Sequence, residues 1–157
     1  MALTTVMPTA AKANFLAGVH LAANTYKMAL VKLAHGGTYD KTFVQVGTPG
    51  SGAPTTSNLG TDEVAASGTY AAGGFTMAGY TAGNDSATNT AWIDWTTDPS
   101  FTTATISAVG AIIYNDTVSG KPAVSLHDFA GTVSSTAGTF TVTLPAAAAA
   151  TAIVRIA

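Results

Sequence analysis

The chain predicts an all-β fold, an antiparallel β-sandwich or jelly roll with a short N-terminal helix or arm, and three observations carry that expectation. Residues 103–116, TATISAVGAIIYND, hold no charge before the last position. Their alternating faces are both largely apolar, with Ile106, Ala108, Gly110, Ile112 and Tyr114 on one side and Val109, Ala111 and Ile113 on the other. That is a strand covered on both faces. Next, TVSGK at 117–121 links this strand to PAVSLHDF at 122–129, which reads as an antiparallel hairpin. Finally, short apolar-alternating segments recur at close spacing with turn chemistry between them, the pattern of sandwiches and jelly rolls.

The 157 residues form one β-rich domain, opening with an arm or short helix at 1–23. Within it, PTAAKANFLAG at 8–18 offers Thr9 as N-cap and Gly18 as terminator. Phe15 and Leu16 are the residues that dock this arm, on the body or on a neighbouring subunit. NTYKMALVKL at 24–33 is a first strand, Tyr26, Met28 and Leu30 alternating with Thr25, Lys27 and Ala29. Lys27 and Lys32 bring part of one face to water.

Residues 34–60 are a long loop broken by Gly36, Gly37, Gly47, Pro49, Gly50, Gly52 and Pro54, with room only for a short strand at 42–46. It reads as a surface or inter-subunit loop. In 68–83 the packing residues are Tyr70, Phe75, Met77 and Tyr80, and the glycines mark bulges or bends between short strands. Trp92 and Trp95 in the next segment are expected in the core. Asp98-Pro99-Ser100 is a turn ahead of the central strand.

Beyond the hairpin, 131–138 is a second polar turn and TFTVTL at 139–144 a separate strand with Phe140, Val142 and Leu144 inward. The alanine run at 146–150 is too short for an independent helix. AIVRI at 152–156 closes the fold, Val154 and Arg155 on different faces.

Composition narrows function. Charged residues are 9% of the chain, against about 25% typically, so the surface is hydroxyl- and methyl-rich. A net charge of -2 with six scattered Lys and Arg argues against nucleic acid as partner. Without cysteine there are no disulfides or thiolate metal sites. The uncharged stretch before Arg155 is broken by Gly131, Gly138 and Pro145, which argues against a membrane span. The start lacks the basic region of a secretory signal, so synthesis in the cytoplasm is expected. Low charge also fits a subunit that hides surface in a symmetric assembly.

Chemistry-bearing patterns are sparse, and no enzyme or cofactor is expected. GTPGSGAPTT at 47–56 lacks the lysine of a phosphate loop. His20, His35 and His127 have no metal-ligand spacing. His127 and Asp128 are adjacent on a strand and point to opposite faces, so they cannot share a triad. Asp94, Asp98 and Asp116 read as turn stabilisers in the absence of a calcium loop. Eight acids in all leave little for a paired-carboxylate glycosidase.

The succession FLAGVH, TYKMALVK, DEVAASGTYAAGG, AIIYND, SLHDFAG, GTFTVTLP and terminal AIVRI, from Phe15 to Ile156, resembles a family of small tailed-bacteriophage virion proteins. The extra alanine between Phe129 and Gly131 and the Gly/Pro loop at 48–60 depart from that pattern. The resemblance implies a capsid decoration (cement) protein on the outside of the head shell, a homotrimer whose partner is the major capsid protein. On that reading Phe15 and Leu16 are arm contacts, while Ile112 and Tyr114 serve the core or the trimer interface. The rivals are a tail, connector or fibre-adaptor protein and, from a different class, a glycan-binding β-sandwich module using Trp92, Trp95 and the aromatics at 70–80.

Overall fold

The computed structural model describes residues 2–157. Helix α1 (Thr9–Leu16) precedes β1 (Tyr26–Lys32), a 3-10 turn (Gly60–Asp62), β2 (Phe75–Thr76), β3 (Tyr80–Asp85), β4 (Thr90–Trp95), β5 (Ser100–Asn115), β6 (Ala123–Thr141) and β7 (Val154–Ile156). The strands form two antiparallel sheets, ordered β2-β1-β5-β6 and β3-β4-β7. Tyr26 of β1 meets Trp95 of β4 edge-on at 5.2 Å and stacks on Tyr80 of β3 at 6.0 Å, which packs one sheet on the other. The expected all-β sandwich with a short N-terminal helix is the fold observed.

The 103–116 stretch is indeed the middle of the molecule, lying inside β5 between β1 and β6. From Gly110 to Asn115 it is buried on both faces. Its first half is buried on one face only: Phe101, Ala104, Ile106 and Ala108 turn inward while Thr102, Thr105 and Ser107 face water.

The face assignment differs from simple alternation. Against β1 the pairing steps from Lys32–Ala108 to Val31–Gly110, so Val109 is the extra residue of a bulge, which reverses the parity of every residue beyond it. Ile106 and Ala108 therefore share a core with Ala111 and Ile113, whereas Ile112 and Tyr114 enter a second core on the other side.

That second core is covered by the 34–60 loop. Tyr39, Phe43, Val46 and Leu59 are fully buried against Ala29, Val31, Ile112 and Leu126, so the loop is a packed layer. No strand forms at 42–46 among the described residues; a lone bridge joins Gln45 to Pro122. The carboxylate of Asp62, 2% exposed, pins the layer. It accepts from the backbone N–H of Gly36 and of Gly37, the latter at 2.7 Å, and from the Tyr39 hydroxyl at 2.6 Å. Burial opposes its charge, but these hydrogen bonds and the Lys32 ammonium 4.0 Å away outweigh it and hold the carboxyl below its usual range.

The polar turn expected at 131–138 is instead strand. β6 runs through it, and the expected strand at 139–144 is its continuation as far as Thr141. The Ser and Thr side chains supply extra ladder bonds: Ser135 Oγ donates to Ala104 O at 2.8 Å, and Ala137 N donates to Thr105 Oγ1 at 3.0 Å. Local kinks at Thr103, Ala130 and Ala137, all with positive φ, absorb the register shifts.

At the N-terminus Pro8 occupies the cap position in place of Thr9, whose N–H donates to Lys41 O at 3.0 Å. Gly18, φ +69°, ends the helix as expected, with Gly18 N donating to Phe15 O and Val19 N to Asn14 O. The ring of Phe15 lies 4.7 Å from that of His20 and packs on the first core. Leu16 points the other way and is 90% exposed.

Candidate functional site

β6 is the edge strand of the larger sheet, and one of its faces looks across a cleft at the C-terminal segment. Ser125 and His127 are two residues apart, so they share that face. Ser125 is 2% exposed, and its Oγ lies 2.9 Å from His127 Nε2. Burial pushes the His127 imidazole down to about 4, so it is neutral at pH 7. Asp128 turns outward and accepts from Ala130 N, as expected of a neighbour on the same strand.

The cleft has two lobes, of about 360 and 470 Å3, that share Thr5, His127, Ile153 and Arg155. The first is floored by Met28 and Ala111 and walled by Phe129, Val142, Leu144 and Ile153. In the second, Thr90 and Ser125 add hydroxyls. Arg155 sits exposed at the mouth, its Nη1 donating to Ala150 O at 2.6 Å. It enters no ion pair among the described residues. Such a cleft has the size and the apolar lining with few polar groups typical of small-molecule sites.

As chemistry, the Ser125–His127 pair has a nucleophile and a base in reach, but among the described residues no carboxylate bonds the ring to orient it, so it lacks the third member of a triad. Among the described residues no group of three or more His, Asp or Glu side chains is placed to hold a metal. What the arrangement offers is binding: apolar walls, a buried hydroxyl bonded to a half-buried imidazole, and at the rim a cation with no ion pair among the described residues.

Two other buried acids serve the scaffold. Glu63 Oε1 accepts from the Tyr70 hydroxyl at 2.9 Å and from Gly73 N at 2.7 Å, while its Oε2 has no partner among the described residues. Burial raises this carboxyl above its usual range despite those bonds. Asp94, fully buried, accepts from Trp95 N at 2.8 Å and is likewise raised by burial. Asp116 bridges Lys27 and Lys121 at 3.2 and 2.7 Å, and Asp98 accepts from Leu144 N, so neither joins a common site with Asp94.

The residues singled out from sequence scatter. Phe15 is docked, Leu16 is exposed on the opposite side of the same turn, and Ile112 and Tyr114 are fully buried inside one chain. The Tyr114 hydroxyl donates to Gly73 O at 2.6 Å. Trp95 is core, as expected, but Trp92 is half-buried against Gly83 on the other face of β4, and Tyr70 is interior. The aromatics thus form no continuous platform. The cleft pair was readable as Ser-x-His at strand spacing, a signal hidden behind the more conspicuous His127-Asp128 neighbours.

Comparison with protein-family models, with curated proteins and with solved structures finds no match.

Proposed function

We propose that this chain is a bacteriophage structural protein, a capsid decoration (cement) protein that binds the outside of the head shell and stabilises it. Its partners are the major capsid protein and further copies of itself, as a trimer, and its place is the surface of the virion after synthesis in the host cytoplasm. The sequence resemblance motivates the reading, and one observation supports it most. Helix α1 fastens itself through Phe15 and presents Leu16 almost wholly to solvent, the geometry of an arm that contacts something else. Exposed Leu21, Leu33 and Ile156 add apolar surface of the same kind, on a chain with little charge to keep neighbours apart. Many such weak contacts, multiplied over a shell, give avidity without a large single interface.

The test is the copy number of this chain in purified particles relative to the major shell protein, by quantitative mass spectrometry. Near-equal stoichiometry supports decoration of the head. A small fraction moves the protein to the tail, connector or fibre adaptor, and absence from particles removes the virion reading and favours a glycan-binding module.

A further inference from the structure

We propose that the cleft between β6 and the C-terminal segment binds an unbranched aliphatic monocarboxylate, with the chain in the apolar lobe and the carboxylate on Arg155. The inference is independent of any place in a virus particle.

The shape of the argument is amphipathic. Met28, Ala111, Val142, Leu144 and Ile153 give the first lobe an apolar interior that welcomes methylene groups. Polar side chains gather where the two lobes meet: Thr5, His127 and Arg155 line both, and the buried Ser125 lines the second. A ligand with an apolar body and a polar end matches that division, and a purely polar one does not.

The sign of the polar end follows from charge. Arg155 is the cation that lines the cleft and has no ion pair among the described residues; Lys27, Lys32 and Lys121 are paired, and Lys12 and Lys41, which are not, lie outside the lining. His127 supplies no second positive charge, because burial keeps it neutral at pH 7. The buried acid behind the cleft wall, Asp94, accepts from Trp95 N and, at 3.4 Å, from Ile153 N. A guanidinium so placed prefers a carboxylate over an alcohol or a second cation, and its planar fork allows a two-bond contact. Arg155 keeps its bond to Ala150 O through Nη1, which leaves the remaining donors of the fork for the ligand.

The Ser125–His127 pair fits binding better than turnover. Its imidazole is hydrogen-bonded through Nε2 to Ser125, which fixes the ring as one wall of the cleft.

The experiment uses the full chain and three probes of one tail length, decanoate, decanol and decyltrimethylammonium, followed by calorimetry at pH 7 below the micellisation limit of the two ions and the solubility limit of the alcohol. Saturable one-to-one binding of decanoate, about tenfold tighter than decanol and with no binding of the cation, is the expected result, since one charge-assisted contact supplies that ratio. Arg155→Gln, at an exposed position, is expected to abolish the preference and leave decanol binding unchanged. Thr143→Trp, at the exposed rim of the apolar lobe, is expected to block decanoate and decanol alike. Equal affinity for decanoate and the cation, insensitivity to Arg155→Gln, or no decanoate binding at all would each overturn the proposal.

Discussion

The hydroxyl of Tyr39 donates to the carboxylate of Asp62 across 2.6 Å, and both side chains are shut off from solvent. With the two glycine N–H groups this bond fastens a 27-residue loop as a layer over the larger sheet. Asp62→Ala strands Tyr39 and both N–H donors and is expected to cost about 3 kcal/mol, read as a lowered midpoint in urea. The folded carboxyl titrates below its unfolded value, so its contribution is present above about pH 4 and is lost as pH falls through the native titration.

His127 has the same sense of pH dependence in a higher window. Its native imidazole titrates near 4 against 6.5 when unfolded, so stability is intact above 6.5 and declines as pH falls toward 4. Denaturant titrations at pH 7, 6, 5 and 4 are expected to show this decline in the parent chain and a flatter profile in His127→Gln.

Glu63 runs the opposite way. Its native carboxyl is raised, so its favourable contribution exists at low pH and disappears as pH rises through the native titration. Glu63→Gln keeps an acceptor for Tyr70 and Gly73 and removes a buried charge. At pH 7 the variant is expected to match or exceed the parent in stability; a loss above about 1 kcal/mol would contradict this account.

Gly110 faces the backbone carbonyl of His127 and the Leu3 side chain so closely that a methyl group has no space. Gly110→Ala is expected to destabilise by about 2–3 kcal/mol, because Leu3 can move but the paired strand cannot. Hydrogen exchange is the direct check, with protection lost first at the β5–β6 ladder around Ala111 and Leu126.

Leu16→Ser separates folding from assembly. An almost fully exposed side chain contributes little within one chain, so the unfolding free energy is expected to stay within about 0.5 kcal/mol of the parent. Under the proposed function the same variant loses self-association in ultracentrifugation or retention on purified heads.

The elements most visible in the sequence were those fixed by local pattern. The two-faced apolar run, the hairpin at 117–121 and the Gly18 stop all rest on residues within a turn or a strand of one another. Two features depended on distant partners instead. The bulge at Val109 is set by the pairing with β1, and it moved Ile106 away from Ile112 although both lie on one alternating row. The 34–60 loop looks like solvent-exposed coil because its glycines and prolines break periodicity, yet Tyr39, Phe43, Val46 and Leu59 find a sheet face that only tertiary folding creates. The Ser- and Thr-rich 131–138 segment reads as a turn until Ala104, Thr105 and Ser107 stand beside it to accept hydrogen bonds from Ser135, Ala137 and Ser134. The cleft was the least legible, since its walls come from Thr5, β6 and the last strand, drawn together from both ends of the chain.

The order of the strands also constrains how fast the chain can reach this state. β5–β6 and β3–β4 are hairpins with short connections that close in microseconds, whereas β1 must wait for β5, and β4 for β7, across intervening segments of more than about fifty residues. Loop-closure entropy for those pairings is spent before their contacts form. Two preformed hairpins searching for β1 and β7 make a slow final docking step, during which the outer edge of β6, covered in the folded chain by Val6 at Leu126 and Val44 at Ala123, is the part of the chain most able to pair with the wrong strand.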